Sequence, residues 1–310
     1  LENKTHKKFG WAFSGGFKTF FNQFGQNISV AMGLVIFVFI FMVPYVASIF
    51  NLAWDFNYSL NIPTPKLIGL GLSILLLLVV SSFIYPALLT GYFAPKSVDV
   101  LEQKQRTKKE RIGIMFSSFK KIFPATFLKA LVILIPLLGY YLFFFLRVDD
   151  TLWVTVAYDI GSIVGVMAVY ISVMIVSYFL SYIFLFANQV AFFEEKTGWQ
   201  SLKRSVNLTL KNKNFWPTLG EYVLIYIAVI AMMYILIIPG IILFAVAWIP
   251  FMMYGTLLAL LVIAGIFLFG LLVFASAAMA GVLESSVCLL YLNARARAEG
   301  TPIPETQIVE

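Results

Sequence analysis

Long stretches without a charged residue dominate the chain, and shorter stretches rich in lysine and arginine separate them. Residues 28–50 run for 23 positions with no charge. A helix needs about 20 such residues, at a rise of ~1.5 Å each, to cross the hydrocarbon of a bilayer. The same reasoning predicts spans at 67–93, 124–146, 161–187, 219–238 and 255–283. Pro86 predicts a kink near the end of the second span. Between Leu219 and Leu283 the only charge is Glu221. That block is too long for one span, and Pro239, Gly240 and Pro250 predict a break in it. Residues 241–251 would then form a re-entrant or interfacial piece. The expected fold class is an all-α integral membrane protein of about six transmembrane helices.

The polar stretches carry a helical rhythm of their own. Phe9, Phe13, Phe17, Phe20 and Phe24 recur near every fourth position, with Lys18, Asn22 and Gln23 off that stripe. Ile112, Met115, Phe116, Phe119 and Ile122 repeat the pattern inside the basic connector 95–123. Trp199, Leu202, Val206 and Leu210 repeat it again within 192–220. Thr197 and Gln200 have the spacing of a capping box at the start of that last helix, and Glu194 and Glu195 suit the positive end of its dipole. Aromatic stripes edged by cations suit helices lying in a membrane interface; a helix packed on protein, or a solvated loop, are the alternatives. Lys120, Lys121, Lys203, Arg204, Lys211, Trp199 and Trp216 are the expected headgroup-contacting residues. The starts Gly16-Phe17-Lys18, Ser118-Phe119-Lys120 and Ser201-Leu202-Lys203 suggest three parallel units of an interfacial helix followed by two spans. Any six-span protein with basic inner loops would look similar without a true repeat. The organisation expected is an N-terminal interfacial helix over 1–27, a membrane domain over 28–292 and a short tail over 293–310.

Composition supports the membrane assignment. Hydrophobic residues make up 61% of the 310 and charged ones 12%, with a mean hydropathy of +0.92. Soluble domains hold roughly 45–50% apolar and about 25% charged residues. The net charge of +7 therefore reads as a topological signal and not as a nucleic-acid surface. One side of the predicted topology receives 20 of the 22 Lys and Arg residues, all but Lys66 and Arg147. The positive-inside rule places that side, with both termini, in the cytoplasm. A plasma (inner) membrane of a prokaryote is the expected location. The first apolar run is too long for the core of a signal peptide, so no cleaved leader is expected.

Candidate chemistry is sparse. The lone Cys288 reads as a small buried hydrophobe and His6 as a solvated tail residue. No metal-ligand spacing, nucleotide-binding loop or nucleophile elbow appears, and no cofactor is expected. Gly161 and Gly165 form a small-residue pair of the kind that lets helices approach, a common motif in such segments. Lys129 can snorkel to the headgroups. Ionisable residues inside spans mark candidate sites. Asp159 belongs near the outer end of the fourth span. Glu221 and Glu284, together with Asn188 and Gln189, are expected to line a polar pocket in the inner leaflet, rimmed by Lys203, Arg204 and Lys211. Separate snorkelling of each carboxylate, or pairing with a connector lysine, is the plainer alternative.

The run Gly198-Trp199, Ser201-Leu202-Lys203-Arg204-Ser205, Lys211, Asn214-Phe215-Trp216 and Leu219-Gly220 resembles a group of bacterial and archaeal multi-pass proteins. That group includes the membrane domain of some glycerophosphoryl diester phosphodiesterases and the YciC-like inner-membrane proteins. Leu290-Tyr291-Leu292-Asn293-Ala294-Arg295, with Glu299-Gly300, is similar too. The resemblance covers about residues 185–300 and implies a six-span fold. It does not extend to the soluble catalytic barrel of those enzymes, so their activity is not implied. The expected function is that of a non-enzymatic membrane protein, an inner-leaflet organiser or a subunit of a membrane assembly. Transport or flipping of a lipid or amphipathic molecule is the alternative, and an enzyme acting on lipid is the weakest reading. The expected partners are membrane lipids and other membrane-protein subunits, not nucleic acid.

Overall fold

A computed structural model describes residues 9–58, 64–147, 160–210, 214–254 and 258–300. Helix follows helix, with no strand among the described residues. The elements are α1 (Trp11–Phe21), α2 (Phe24–Tyr58), α3 (Thr64–Val79), a π-helical turn (Val80–Ile84), α4 (Tyr85–Leu101), α5 (Lys108–Arg147), α6 (Ile160–Ile183), α7 (Ala187–Phe193), α8 (Trp199–Leu210), α9 (Phe215–Tyr254) and α10 (Leu258–Glu299). Six stretches are long and apolar enough to cross a membrane: Phe24–Ile49, Gly69–Leu101, Lys108–Tyr140, Met167–Phe193, Phe215–Trp248 and Val262–Glu299. The protein is a multi-pass, all-helical membrane protein.

The long helices form three hairpins that leave from one end of the bundle and return to it. Gln23 at the start of α2 meets Lys96 near the end of α4 and Arg111 at the start of α5. Lys121 of α5 reaches Glu195 after α7. Glu221, early in α9, meets Arg297 at the end of α10. These contacts tie every hairpin base to one cation-rich face, called here the basic end. The packed core lies toward that end, with Phe20, Phe93, Phe186 and Tyr291 fully buried. Farther away, Ile135, Leu138, Ile175, Ile227, Ile235, Ile263 and Ile266 are exposed. Lipid solvates such side chains as well as protein does, so packing there brings little net gain.

Several sequence expectations change at this level. The break expected between Pro239 and Pro250 is absent, because α9 is continuous from Phe215 to Tyr254. Neighbouring helices and local adjustment make proline tolerable within transmembrane helices, so residues 241–251 are part of α9 and not a re-entrant piece. The connector expected over 95–123 shrinks to 102–107, since α4 runs to Leu101 and α5 starts at Lys108. Thr107 and Glu110 explain the abrupt start. The Thr107 amide donates to Glu110 Oε2 at 2.9 Å and the Glu110 amide to Thr107 Oγ1 at 3.3 Å, a reciprocal capping box. The amphipathic stretch 112–122 is therefore the first part of a 40-residue helix and not a separate element. The distortion expected at Pro86 lies just before it, as the π-helical turn. Proline lacks the N–H that the carbonyl four residues back would accept.

The N-terminal helix docks through small residues together with Phe20 of its phenylalanine stripe. Ala12, Gly15, Gly16, Thr19 and Phe20 are buried, whereas Phe9 and Phe21 are exposed. The partner is α10, whose small residues Ala275, Ala277, Ala278 and Gly281 line the approach. A Cβ on Gly16 would sit 2.7 Å from the Ser286 Cα, and one on Gly281 would overlap the Phe20 ring. Only glycine permits this spacing. Asn27 then closes the C-terminal turn of α1, its side-chain amide reaching the carbonyls of Phe20 at 2.6 Å and Asn22 at 2.7 Å. Those carbonyls would otherwise lack a helical partner.

Candidate functional site

Glu284 sits on α10 at the centre of a polar cluster that joins four helices. Small residues before it in the helix allow α4 to approach closely. Gln189 Nε2 donates to Glu284 Oε1 at 2.8 Å. The Cys288 sulfur, one turn along, lies 3.9 Å from the same oxygen. The Thr90 hydroxyl also bonds to this carboxylate. Asn188 Nδ2 reaches Thr90 Oγ1 at 3.4 Å, and Thr126 Oγ1 lies 3.0 Å from Asn188 Oδ1. Thr90, Thr126, Asn188 and Gln189 are buried, and Glu284 is partly so. Lys129, one turn beyond Thr126 on α5, lies near enough for its charge to act on Glu284. A carboxylate, a lysine and a relay of hydroxyls and amides at this depth can hold a proton or a small cation. Gln189 Oε1 has no hydrogen-bond partner among the described residues, so one acceptor in the cluster remains free.

Glu221 does not belong to this cluster. It is fully buried, accepts from Arg297 Nη2 at 2.9 Å and faces the Ala12 amide at the start of α1. Arg297 lies 13 residues beyond Glu284 on one helix, about 20 Å at ~1.5 Å per residue. The expected pocket of Asn188, Gln189, Glu221 and Glu284 is therefore divided. Three residues converge, and the fourth holds the base of α9 to the ends of α10 and α1. Antiparallel pairing explains the division, because the first turns of α9 lie beside the last turns of α10 and not beside its middle.

A third junction is built on Glu194. Its carboxylate accepts from Lys196 Nζ at 2.7 Å, Arg204 Nε at 3.0 Å and the Tyr291 hydroxyl at 3.0 Å. Burial pushes its pKa up, but the bonds from Lys196, Arg204 and Tyr291 outweigh burial and hold it below the ordinary glutamate value. Arg204 also pairs with Glu299. Arg204, expected to contact headgroups, makes internal ion pairs that tie α8 to the end of α10. Lys121 bonds Glu195 at 2.6 Å, and that bond, with the charge behind it, lowers the pKa of the exposed Glu195. Lys120 and Lys203 are exposed, as are Trp199 at 64% and Trp216 at 76%. Lys211 and Asp159 lie outside the described residues. The capping box expected of Thr197 and Gln200 is not formed. The helix begins at Trp199 after Gly198 in a left-handed conformation, φ +55°.

Lys96 and Arg111 belong to the basic connector expected over 95–123. Both are buried, at 3% and 1% exposure. The available signal was the Thr107 to Glu110 capping spacing, which puts Arg111 on the first turn of α5 facing the end of α4. Thr90 and Thr126 were also missed, because a single threonine in an apolar run carries no mark of its own. Compared with family models, curated proteins and solved structures, the chain matches none.

Proposed function

We propose that the protein is a non-enzymatic lipid organiser of a prokaryotic inner membrane, with its basic end and both termini in the cytoplasm. One observation carries the proposal. An apolar groove of about 520 Å³ runs between α6 and α9, lined by Tyr178, Phe179, Tyr182, Phe215, Tyr222 and Tyr226. Tyr178 and Phe179 are exposed on its rim, so the groove faces the surrounding bilayer. Its width and lining suit an acyl chain. Trp216, next to Phe215 at the groove's base, suits the headgroup level. The cation excess at the same end supports contact with anionic lipid on the cytoplasmic leaflet.

The test is lipid retention. Protein extracted into polymer discs and then moved to detergent should keep a defined lipid, counted by mass spectrometry. Val223→Trp, which fills the groove, should release it without changing the oligomeric state. Retention of bulk-composition lipid only, or equal retention by the variant, would sink the proposal.

A second reading, transport or flipping of a lipid or amphipathic molecule, is favoured by the Glu284 and Lys129 cluster. Ionisable side chains held inside spans are the usual carriers of coupled transport. Flux in proteoliposomes that disappears in Glu284→Gln would favour this reading over the first. Lipid retention without flux would favour the organiser.

A further inference from the structure

A polar cavity of about 240 Å³ lies at the basic end, between the α1–α2 turn, the end of α4 and the start of α5. It has room for several waters. Arg111 and Lys96 line it, and both are more than nine-tenths buried. Arg111 Nη2 donates to Gln23 Oε1 at 2.6 Å and to the Arg106 carbonyl at 2.7 Å. Its Nε and Nη1 have no partner among the described residues. Lys96 Nζ donates to the same Gln23 oxygen at 3.0 Å, leaving two of an ammonium's three donors open. Two buried cations therefore share one neutral acceptor.

The nearby carboxylates do not balance them. Glu102 pairs with Lys104 on the exposed side. Asp99 lies 3.2 Å from Arg106 Nη1, yet neither of its oxygens has an aligned hydrogen bond. Lys96, Arg106 and Arg111 against Asp99 leave two positive charges in excess. Uncompensated buried charge is costly. Gln23 and Gln103, both on the cavity wall, hold left-handed conformations at φ +60° and +53°. Strain of this kind is uncommon in residues other than glycine and clusters where a ligand is held.

We infer that this cavity binds a phosphate group with at least three free oxygens, either inorganic phosphate or the phosphomonoester headgroup of a lipid. Such a group carries about −1.5 to −2 charges near neutral pH, matching the cation excess. Its oxygens take the open donors of Arg111 and Lys96. When it keeps a proton, that proton is shared in a hydrogen bond with the Asp99 carboxylate, whose oxygens hold no aligned hydrogen bond. Sulfate has no proton to give at neutral pH and meets Asp99 as a like charge. The site lies apart from the groove between α6 and α9, and its test reads phosphate instead of acyl chains, so either can fail alone.

The experiment is thermal unfolding of the full chain in uncharged detergent. Sodium phosphate, sodium sulfate and sodium chloride are compared at equal ionic strength. In parallel, mixed micelles containing phosphatidic acid are compared with micelles containing phosphatidylcholine. Phosphate or phosphatidic acid should raise Tm, and sulfate should do so less. Protection by both identifies the free anion as sufficient, whereas protection by phosphatidic acid alone identifies the lipid headgroup. Lys96→Met and Arg111→Gln should each weaken the response by about tenfold or more, as expected for loss of a charge-assisted hydrogen bond. In chloride alone Lys96→Met should keep or exceed the wild-type Tm, because it removes an uncompensated cation. No protection by either probe, equal protection by sulfate, an unchanged response in both variants, or a lowered Tm of Lys96→Met in chloride would each overturn the assignment.

Discussion

At the scale of the residue, the charges of this protein divide by whether they have partners. Glu194 is the best satisfied, with Lys196, Arg204 and Tyr291 all donating to it. Its pKa is depressed in the folded protein. The associated stability is present above the ordinary glutamate value of 4.5 and is lost as pH falls through the lower folded value. Acid titration of Tm should therefore show a fall below pH 4.5 that is shallower in Glu194→Gln. An identical acid slope in that variant would mean the three donors contribute nothing to folding. Little of this was legible from the sequence. Glu194 and Glu195 are neighbours and invited one explanation, a helix dipole. One faces a tyrosine almost a hundred positions away, and the other an exposed lysine on α5. Side-chain spacing within a segment is silent about partners brought by a different helix.

At the scale of the element, apolar periodicity found the helices but not always their docking faces. The phenylalanine stripe of α1 was conspicuous, and its Phe20 is buried, yet the close approach is made by Ala12, Gly15, Gly16 and Thr19. Small residues carry no hydrophobic signal, although in a membrane close backbone approach matters more than apolar area. Gly16→Val should push α1 off α10, since even its Cβ lies 2.7 Å from the Ser286 backbone. We expect a loss of about 1–3 kcal/mol, the usual cost of overpacking, read as a lower Tm and as protease cleavage between α1 and α2. An unchanged Tm and cleavage pattern would show that α1 is only loosely attached. The boundaries at Pro239 and Leu101 were misread for a related reason. Proline breaks a helix in water, yet α4 runs through Pro95 and α9 through Pro239, because proline is tolerated within membrane-spanning helices.

At the scale of the whole molecule, the count of six spans and the gathering of hairpin bases at one cation-rich end follow the charge pattern of the sequence closely. Net charge per loop is a summed property and survives errors in any one boundary. The candidate site was legible only in part. Asn188, Gln189 and Glu284 meet, whereas Glu221 belongs to the end of the bundle. A linear sequence does not say how far along α10 each partner falls. The proposed orientation predicts that cysteine introduced at Lys104 or Lys203 in a Cys288→Ala background is labelled by an impermeant maleimide only from the cytoplasmic face. Labelling of intact cells from outside would reverse the assignment.

The unbroken α9 has one more consequence. Its stretch from Tyr222 to Tyr254 contains no charged side chain. At ~1.5 Å per residue those positions extend about 50 Å, against roughly 30 Å of hydrocarbon in an average bilayer. Transmembrane helices rarely tilt beyond about 40°, so leaning leaves an apolar excess of about 8 Å. Bending of the helix, its reach into the headgroup region or local thickening of the lipid must cover it. Bilayer thickness thus becomes a variable to which this protein is matched, and thin membranes are the ones it fits least.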